Sequence, residues 1–477
     1  MNDDCWLEVI NVLALSPSTR DMWHLMQVCR ILYTLGMPIL VRLWSNGLSS
    51  ESRYDPECVD RFCKFMLSGD GERLKQLRKF DVADIVGSHM WDRPLLFRVV
   101  DNATSLEELE MDGDLFFAYV QAFDTPRHFE HLAVLTVRSA NDIGDALGRV
   151  RAPLARLTLD FDDVDDELED EDEELPDCVS LILPFRDTLT ELNVINGWLD
   201  NALDTVTFNR LTCLQLENTF IPPVGQLAHA FPNLKQLEAI FCFGDEEDDE
   251  FRASNEDSQA EGDTWHHLDV VSVHRPGFLY GLALTCTARC MAFEYVDGPE
   301  EVDLAASLLS IMHPKCLRVG SRSVQTLAGI FTPLAGVASG ISELHVLVDM
   351  THEGGRSSVL TDIAIDSVVF ACATLHLTHF MLTVFAPQVR DNLPLTDLGR
   401  YISTYNLSEL AHRLMVTVPT LEFMRLCFTR QHRAYWQVTE VADGPRQLQS
   451  ISKAHGDSIT RSIFPIASRA EAEFFKD

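Results

Sequence analysis

A six-residue phrase returns along most of this chain: an apolar residue, two others, an apolar residue, one other, an apolar residue. It reads LEELEM at Leu106, LAVLTV at Leu132, LARLTL at Leu154, LTELNV at Leu189, LTCLQL at Leu211 and LKQLEA at Leu234. Altered copies follow as LDVVSV at Leu268, ISELHV at Ile341 and LEFMRL at Leu421. The steps between the first six starts are 26, 22, 35, 22 and 23 residues. One such phrase cannot bury its own leucines. Copies stacked side by side can, because each covers the exposed edge of the last.

The stretches between phrases are amphipathic and end at proline. Examples are DLFFAYVQAFDTP from Asp114, VGQLAHAFP from Val224, EEVDLAASLLSIMHP from Glu300 and LSELAHRLMVTVP from Leu407. Strand, loop, helix, breaker is the cycle of a leucine-rich-repeat-like solenoid, with short parallel strands on one side and helices on the convex side. The alternative is an ordinary α/β domain whose parallel strands repeat the phrase without a true period.

Strand residues alternate, so those between the leucines are expected on the open face. They are Glu108, Glu110, Arg156, Thr158, Glu191, Asn193, Gln215, Glu217, Gln236, Glu238, His345 and Arg425. This mixed polar set suits a protein partner and is the candidate substrate face.

The first forty-odd residues are built differently. Trp6, Leu7, Val9, Ile10 and Leu13 form one apolar helical face. Ser18 and Asp21 make a capping-box-like start for a second helix carrying Met22, Leu25, Cys29 and Leu32, widened by Met26, Val28 and Leu35. Gly36 and Pro38 are expected to end it, and Ile39, Leu40, Leu43 and Trp44 give a third face. Three helices this short bury little core, so apolar surface is left for another polypeptide.

The segment from Trp6 to Arg42 resembles the F-box, the motif by which substrate receptors dock on the small adaptor of SCF ubiquitin ligases. The matching residues run Trp6-Leu7-Glu8-Val9-Ile10, Arg20-Asp21, Leu25, Val28-Cys29-Arg30, Leu35 and Pro38-Ile39-Leu40. The Leu-Pro pair that opens the family's motif is absent, and Ala14–Thr19 is inserted. The resemblance implies an adaptor-binding set of Trp6, Leu7, Val9, Ile10, Leu25, Val28, Cys29, Leu35, Pro38, Ile39 and Leu40. It implies an SCF adaptor and, through it, a cullin as partners. With its worn repeats the whole chain is similar to the F-box proteins of mushroom-forming fungi. The expected domains are an F-box-like unit (1–48), a helical bridge (49–100), the solenoid (101–440) and a closing segment (441–477). The tail after RAYWQVTEV at Arg433, the expected final strand, reads as polar and turn-like.

Charge narrows the partners. The formal net charge is 38 − 73 = −35. Asp160–Glu174 holds twelve acids and no base, and Asp245–Asp263 holds ten acids and Arg252. Both runs are expected to be extended acidic loops. Such a balance disfavours nucleic acid and anionic membrane surfaces. The run Val368–Pro387 is apolar enough to consider as a membrane span, but His376 and His379 lie in its middle, and it reads better as a helix end followed by a strand. The twelve cysteines form no CxxC pair, which fits a reducing cytoplasmic or nuclear setting. No phosphate loop, nucleophile elbow or metal motif occurs, and no cofactor is expected. The reading is a non-catalytic substrate receptor. The alternative is an acidic repeat scaffold that binds basic proteins and joins no ligase.

Overall fold

The computed structural model describes residues 26, 32–33, 35–37, 39, 41, 56–68, 71–83, 94–122, 127–141, 143–161, 178–199, 201–242, 248–262, 264–322, 330, 340–350, 358–385, 397–428, 432–440 and 444–464. The chain divides into two compact units, 1–222 and 223–477. It is mixed α/β, with open and mostly parallel sheet in both units.

In the first unit the strands are β1 (Lys79–Val82), β2 (Glu108–Asp112), β3 (Arg127–His128), β4 (Val134–Arg138), β5 (Val150–Arg151), β6 (Arg156–Asp160), β7 (Glu191–Ile195) and β8 (Cys213–Glu217). The main sheet runs β1-β2-β4-β6-β7-β8, every pair parallel and in chain order. Strands β3 and β5 make a small parallel pair of their own. Each expected phrase from Leu106 to Leu211 is a strand here. Three strands were not expected: β3 and β5 fall between phrases, and β1 lies inside the predicted helical bridge, which otherwise holds helices Pro56–Leu67 and Pro94–Asn102.

The strands of this unit alternate strictly. Leu109, Met111, Leu135, Val137, Leu157, Leu159, Leu192, Val194, Leu214 and Leu216 are buried, and the residues between them are half-exposed or exposed. The leucine side packs against helices such as Gly113–Gln121, whose Leu115, Phe116, Tyr119 and Val120 are buried. Asp112 caps that helix by accepting from the Asp114 amide.

The second unit contains β9 (Gln236–Ile240), β10 (His267–Val273), β11 (Thr287–Phe293), β12 (Cys316–Ser321), β13 (Glu343–Asp349), β14 (His379–Phe385), β15 (Phe423–Cys427), β16 (Arg433–Thr439) and β17 (Gln447–Ser450). Strands β9 to β15 are parallel and in chain order. Strands β16 and β17 then turn antiparallel. The altered phrases at Leu268, Ile341 and Leu421 are strands, and Val368–Pro387 is a helix end followed by β14. Strands β11 and β12 carry no clear copy of the phrase. Among the described residues no helix is long and apolar enough to cross a membrane.

Two expectations fail here. The acidic run Asp245–Asp263 is not a loop: Asp248–Glu261 is helical. One side of it is anchored. Phe251 is buried, and Asn255 is fully buried, accepting from the Val224 amide (2.7 Å) and donating to the carbonyls of Phe251 (2.9 Å) and Gly281 (3.0 Å). Ser258 accepts from the Gly225 amide, and Arg252 lies 3.9 Å over the Tyr280 ring. Side chains four and seven apart share a helix face, so three well-placed residues suffice to hold an otherwise repelling segment.

The tail is also structured. Gln447–Ser450 is β17, and Lys453–Ile463 is a helix capped by Ser452, which accepts from the His455 amide. The helix does not merely close an end. It lies on the sheet face opposite the repeat helices, where Ile463 and Phe464 join Val270, Cys290, Cys316, Met381, Phe423 and Tyr435 in one buried cluster. Tyr435 donates to Asp457 (2.5 Å), and Gly456 sits directly on the Tyr435 ring, where a Cβ would come within 2.1 Å of Cδ1.

Candidate functional site

Of the predicted adaptor-binding set, Leu35 and Ile39 fall among the described residues. Trp6, Leu7, Val9, Ile10, Leu25, Val28, Cys29, Pro38 and Leu40 lie outside them. The described positions from Met26 to Val41 are all helical. Gly36 therefore does not end a helix: it and Met37 are helical, and so are Ile39 and Val41 beyond Pro38. Its lack of a side chain serves packing, since a Cβ would meet the Met26 Cγ at 2.7 Å. Met26, Leu32, Met37 and Val41 face inward. Ile39 is only 9% exposed, so it belongs with this internal set rather than with a free docking surface. Leu35 is half-buried. Tyr33 accepts two hydrogen bonds from Arg73, whose guanidinium also lies 4.2 Å over the Phe65 ring. That residue ties the N-terminal helices to the segment that follows them.

The open sheet face of the first unit is built by register. One row runs Lys79, Glu108, Val134, Arg156, Glu191, Cys213 and the next Asp81, Glu110, Thr136, Thr158, Asn193, Gln215. A third runs Asp112, Arg138, Asp160, Ile195, Glu217. Glu108, Glu110, Arg156, Thr158, Glu191, Asn193, Gln215 and Glu217 thus share one face, as expected. Its three bases are paired within it: Lys79 with Glu108 (3.1 Å), Arg138 with Glu110, and Arg156 with Glu191. The Glu191 hydrogen bond raises the Arg156 pKa above its usual value. Three bases stand against Asp81, Glu108, Glu110, Asp112, Asp160, Glu191 and Glu217, so the face carries a net −4.

In the second unit the same strand positions are not open. Gln236 is half-exposed, but Glu238, His345 and Arg425 are buried at 8%, 1% and 4% exposure. Their assignment to an exposed substrate face is corrected. For His345 the cause is the C-terminal helix: its ring packs 5.4 Å from that of Phe464, and nearby the Cys316 thiol lies 3.7 Å from the Ile463 carbonyl oxygen. His345 also bonds Thr383 (3.1 Å) and shares a register row with Arg318 and Met381. These residues stand between two packed layers.

Sequence reasoning missed one surface entirely, the rim formed by residues that directly follow β9 to β12. Phe241 is 48% exposed. Its ring meets that of His274 at 3.8 Å, tilted by 40°, His274 meets the Tyr295 edge at 5.3 Å, and Arg322 lies 3.8 Å over the Tyr295 ring. His274 Nδ1 bonds Glu294 Oε2 (3.3 Å). The sequence signal is partial. Seven residues after the first apolar residue of the first six phrases stand Gly113, Ser139, Phe161, Asn196, Asn218 and Phe241, so a phenylalanine occurs there twice, and the structure buries Phe161 while leaving Phe241 half in water.

The thiols offer little reactivity. Burial pushes Cys286 up to about 11 and raises Cys372 and Cys316. Cys290 and Cys316 are register partners 3.2 Å apart, and the hydrogen bond from Cys316 lowers the pKa of Cys290. Among the described residues no group of His, Cys, Asp or Glu is arranged to hold a metal. No protein-family model matches the chain, and no curated protein compared with it does.

Proposed function

We propose that this protein is the substrate-recognition subunit of an SCF-type ubiquitin ligase. The N-terminal segment docks on the adaptor, and the repeat face holds a protein substrate near the ubiquitin-carrying enzyme. Its contribution is proximity and orientation, not bond chemistry. The observation that carries the reading is the F-box-like sequence of residues 6–42, supported by helical backbone at the described positions from Met26 to Val41. Leu25, Val28 and Cys29 are adaptor-contact residues that the resemblance assigns to this segment and are the ones to substitute. An open polar sheet face in the first unit supports the substrate arm. Cytoplasmic or nuclear residence follows from the reading.

Co-purification with the SCF adaptor tests it. Full-length protein should capture the adaptor, and Leu25→Asp or Val28→Asp should abolish capture while leaving the unfolding midpoint unchanged. Capture that survives both substitutions, or never occurs, defeats the ligase reading.

The second reading is an acidic scaffold for basic proteins. The net charge and the acidic helix Asp248–Glu261 favour it. It requires salt-sensitive binding of a basic protein that disappears when 160–174 is deleted, with no adaptor captured at all.

A further inference from the structure

The residue directly after β4, β7, β8 and β9 adopts left-handed backbone: Ser139 at φ 51°, Asn196 at 56°, Asn218 at 47° and Phe241 at 53°. Small polar residues suit that conformation, and here they also bond. Asn218 donates to Asn196 (2.8 Å), and Asn196 donates to the Phe161 carbonyl (2.9 Å). Phenylalanine is poorly suited to it. Its ring is not compensated by full burial, being 48% exposed. A costly residue kept half in water calls for a reason outside folding.

What surrounds the ring supplies one. The backbone ladder continues past the strands, with the His274 amide donating to the Ala239 carbonyl (3.2 Å) and the Tyr295 amide to the His274 carbonyl (2.9 Å). Gly320 lets the Glu294 backbone approach, since a Cβ there would lie 1.8 Å from the Glu294 carbonyl oxygen. Glu294 is 6% exposed, and its Oε1 has no hydrogen-bond partner among the described residues. The neighbouring charges are mostly acidic: Asp297, Glu300 and Glu301 follow in sequence, and Asp349 acts on Tyr295. Of the two bases, Arg275 is paired with Glu301 (3.5 Å) and Arg322 is held on Tyr295. In sequence, the acidic run opens at Asp245, four residues beyond Phe241.

We propose that the rim of Phe241, His274, Glu294 and Tyr295 is a protein-docking surface whose occupant is an extended Lys/Arg-bearing segment of a partner. The aliphatic stem of a basic side chain lies along the Phe241 ring, its charged head is drawn to the ring face and the acids beside it, and Tyr295 and Arg322 flank the contact. This rests on the chain being a recognition scaffold and is independent of the adaptor arm.

The test uses full-length protein and a fluorescein-labelled synthetic peptide of alternating Gly-Lys-Gly-Arg units, with a Gln-for-Lys/Arg peptide as control, read by anisotropy. Wild type should bind the basic peptide and not the control. Phe241→Asn, which restores the residue type of the equivalent positions, should weaken binding about tenfold or more, within the range of an anchor residue. Its unfolding midpoint should stay level or rise. Equal binding by Phe241→Asn overturns the proposal, and so does a lowered midpoint, which would make the ring a packing element. Binding that survives Phe241→Asn but is lost when Asp245–Glu250 are neutralised also overturns it, assigning the peptide to the acidic run alone. Adaptor capture should be the same in wild type and Phe241→Asn. Wild-type protein that binds the basic peptide but captures no adaptor would sink the ligase reading and leave this one standing.

Discussion

The two units use one strand grammar and two kinds of surface. In the first, β2, β4, β7 and β8 are buried at every second residue. In the second, β12 and β15 are buried at every residue. The strands compared are parallel to their repeat neighbours and laid down in chain order in both units, so the difference does not come from their topology. It comes from what occupies the positions between the leucines: Thr, Asn, Gln and Glu in the first unit, and Val270, Cys290, Cys316, Met381 and Phe423 in the second. The first set can face water. The second cannot, and the chain's own C-terminal helix covers it. Polar residues do occur on the second face, as Arg318, His345 and Arg425, and they are buried with it, so a repeat face is a binding surface only where no further layer of the chain covers it.

Introducing a charge on each face should separate them most sharply. Met381→Asp places an unpaired carboxylate between two packed layers and should cost more than about 4 kcal/mol. Asn193→Asp, at an outward position of the first unit, should cost within about 0.5 kcal/mol. Urea unfolding of both variants reads the contrast. Equal costs would mean that the two faces are equally covered, or equally open.

This contrast also shows how much was legible. Nine phrases were read as strands, and all nine are. The helices ending at Pro232, Pro314 and Pro419 were legible too, because amphipathic spacing and proline stops act locally. The covering of the second face was not. It depends on Ile463 and Phe464 reaching Cys316, a contact 147 residues long in sequence, and no local pattern announces it. The clue was misread as wear. Runs such as ARCMAF and CLRVGS look like decayed repeats, yet near-continuous apolar character is what burial on both faces demands. Helix Asp248–Glu261 was missed for a related reason. Charge density was weighed, while the spacing of Phe251, Asn255 and Ser258 that anchors the helix was not. Of the candidate site, the polar face of the first unit was legible, while Glu238, His345 and Arg425 proved buried, His345 under the hidden layer.

A smaller perturbation tests whether the covering helix seals the second face. Gly456→Ala puts a methyl group into the Tyr435 ring and should cost about 1–3 kcal/mol, as overpacking does. Iodoacetamide should then label Cys290 and Cys316 faster than in wild type, while Cys372, on a repeat helix, stays protected. Unchanged labelling of the pair would show that something other than this helix shields it.

The same layer should be sensitive to alkali. Burial, and then the hydrogen bond to Asp457, hold the Tyr435 phenol above its ordinary pKa. The folded state thus keeps a proton that the unfolded chain releases near pH 10. Stability from this group is fully present below that pH and falls as pH rises beyond it. Tyr435→Phe should flatten the alkaline limb of a stability–pH curve. An identical limb would place the effect on Tyr401, whose pKa is raised by burial and Asp362.

The smallest effect is expected on the open face, and its smallness is informative. Arg156 and Glu191 form an ion pair with side chains 52% and 41% exposed. Water and salt screen such a pair, so Arg156→Gln should shift stability by no more than about 0.5 kcal/mol. Lys79–Glu108 and Arg138–Glu110 repeat the arrangement on neighbouring strands. If these pairs preorganise carboxylates for a partner, Arg156→Gln should alter affinity for a basic protein ligand and its salt dependence while the unfolding curve stays in place. A large loss of stability instead would show that the first unit, like the second, spends this face on its own folding.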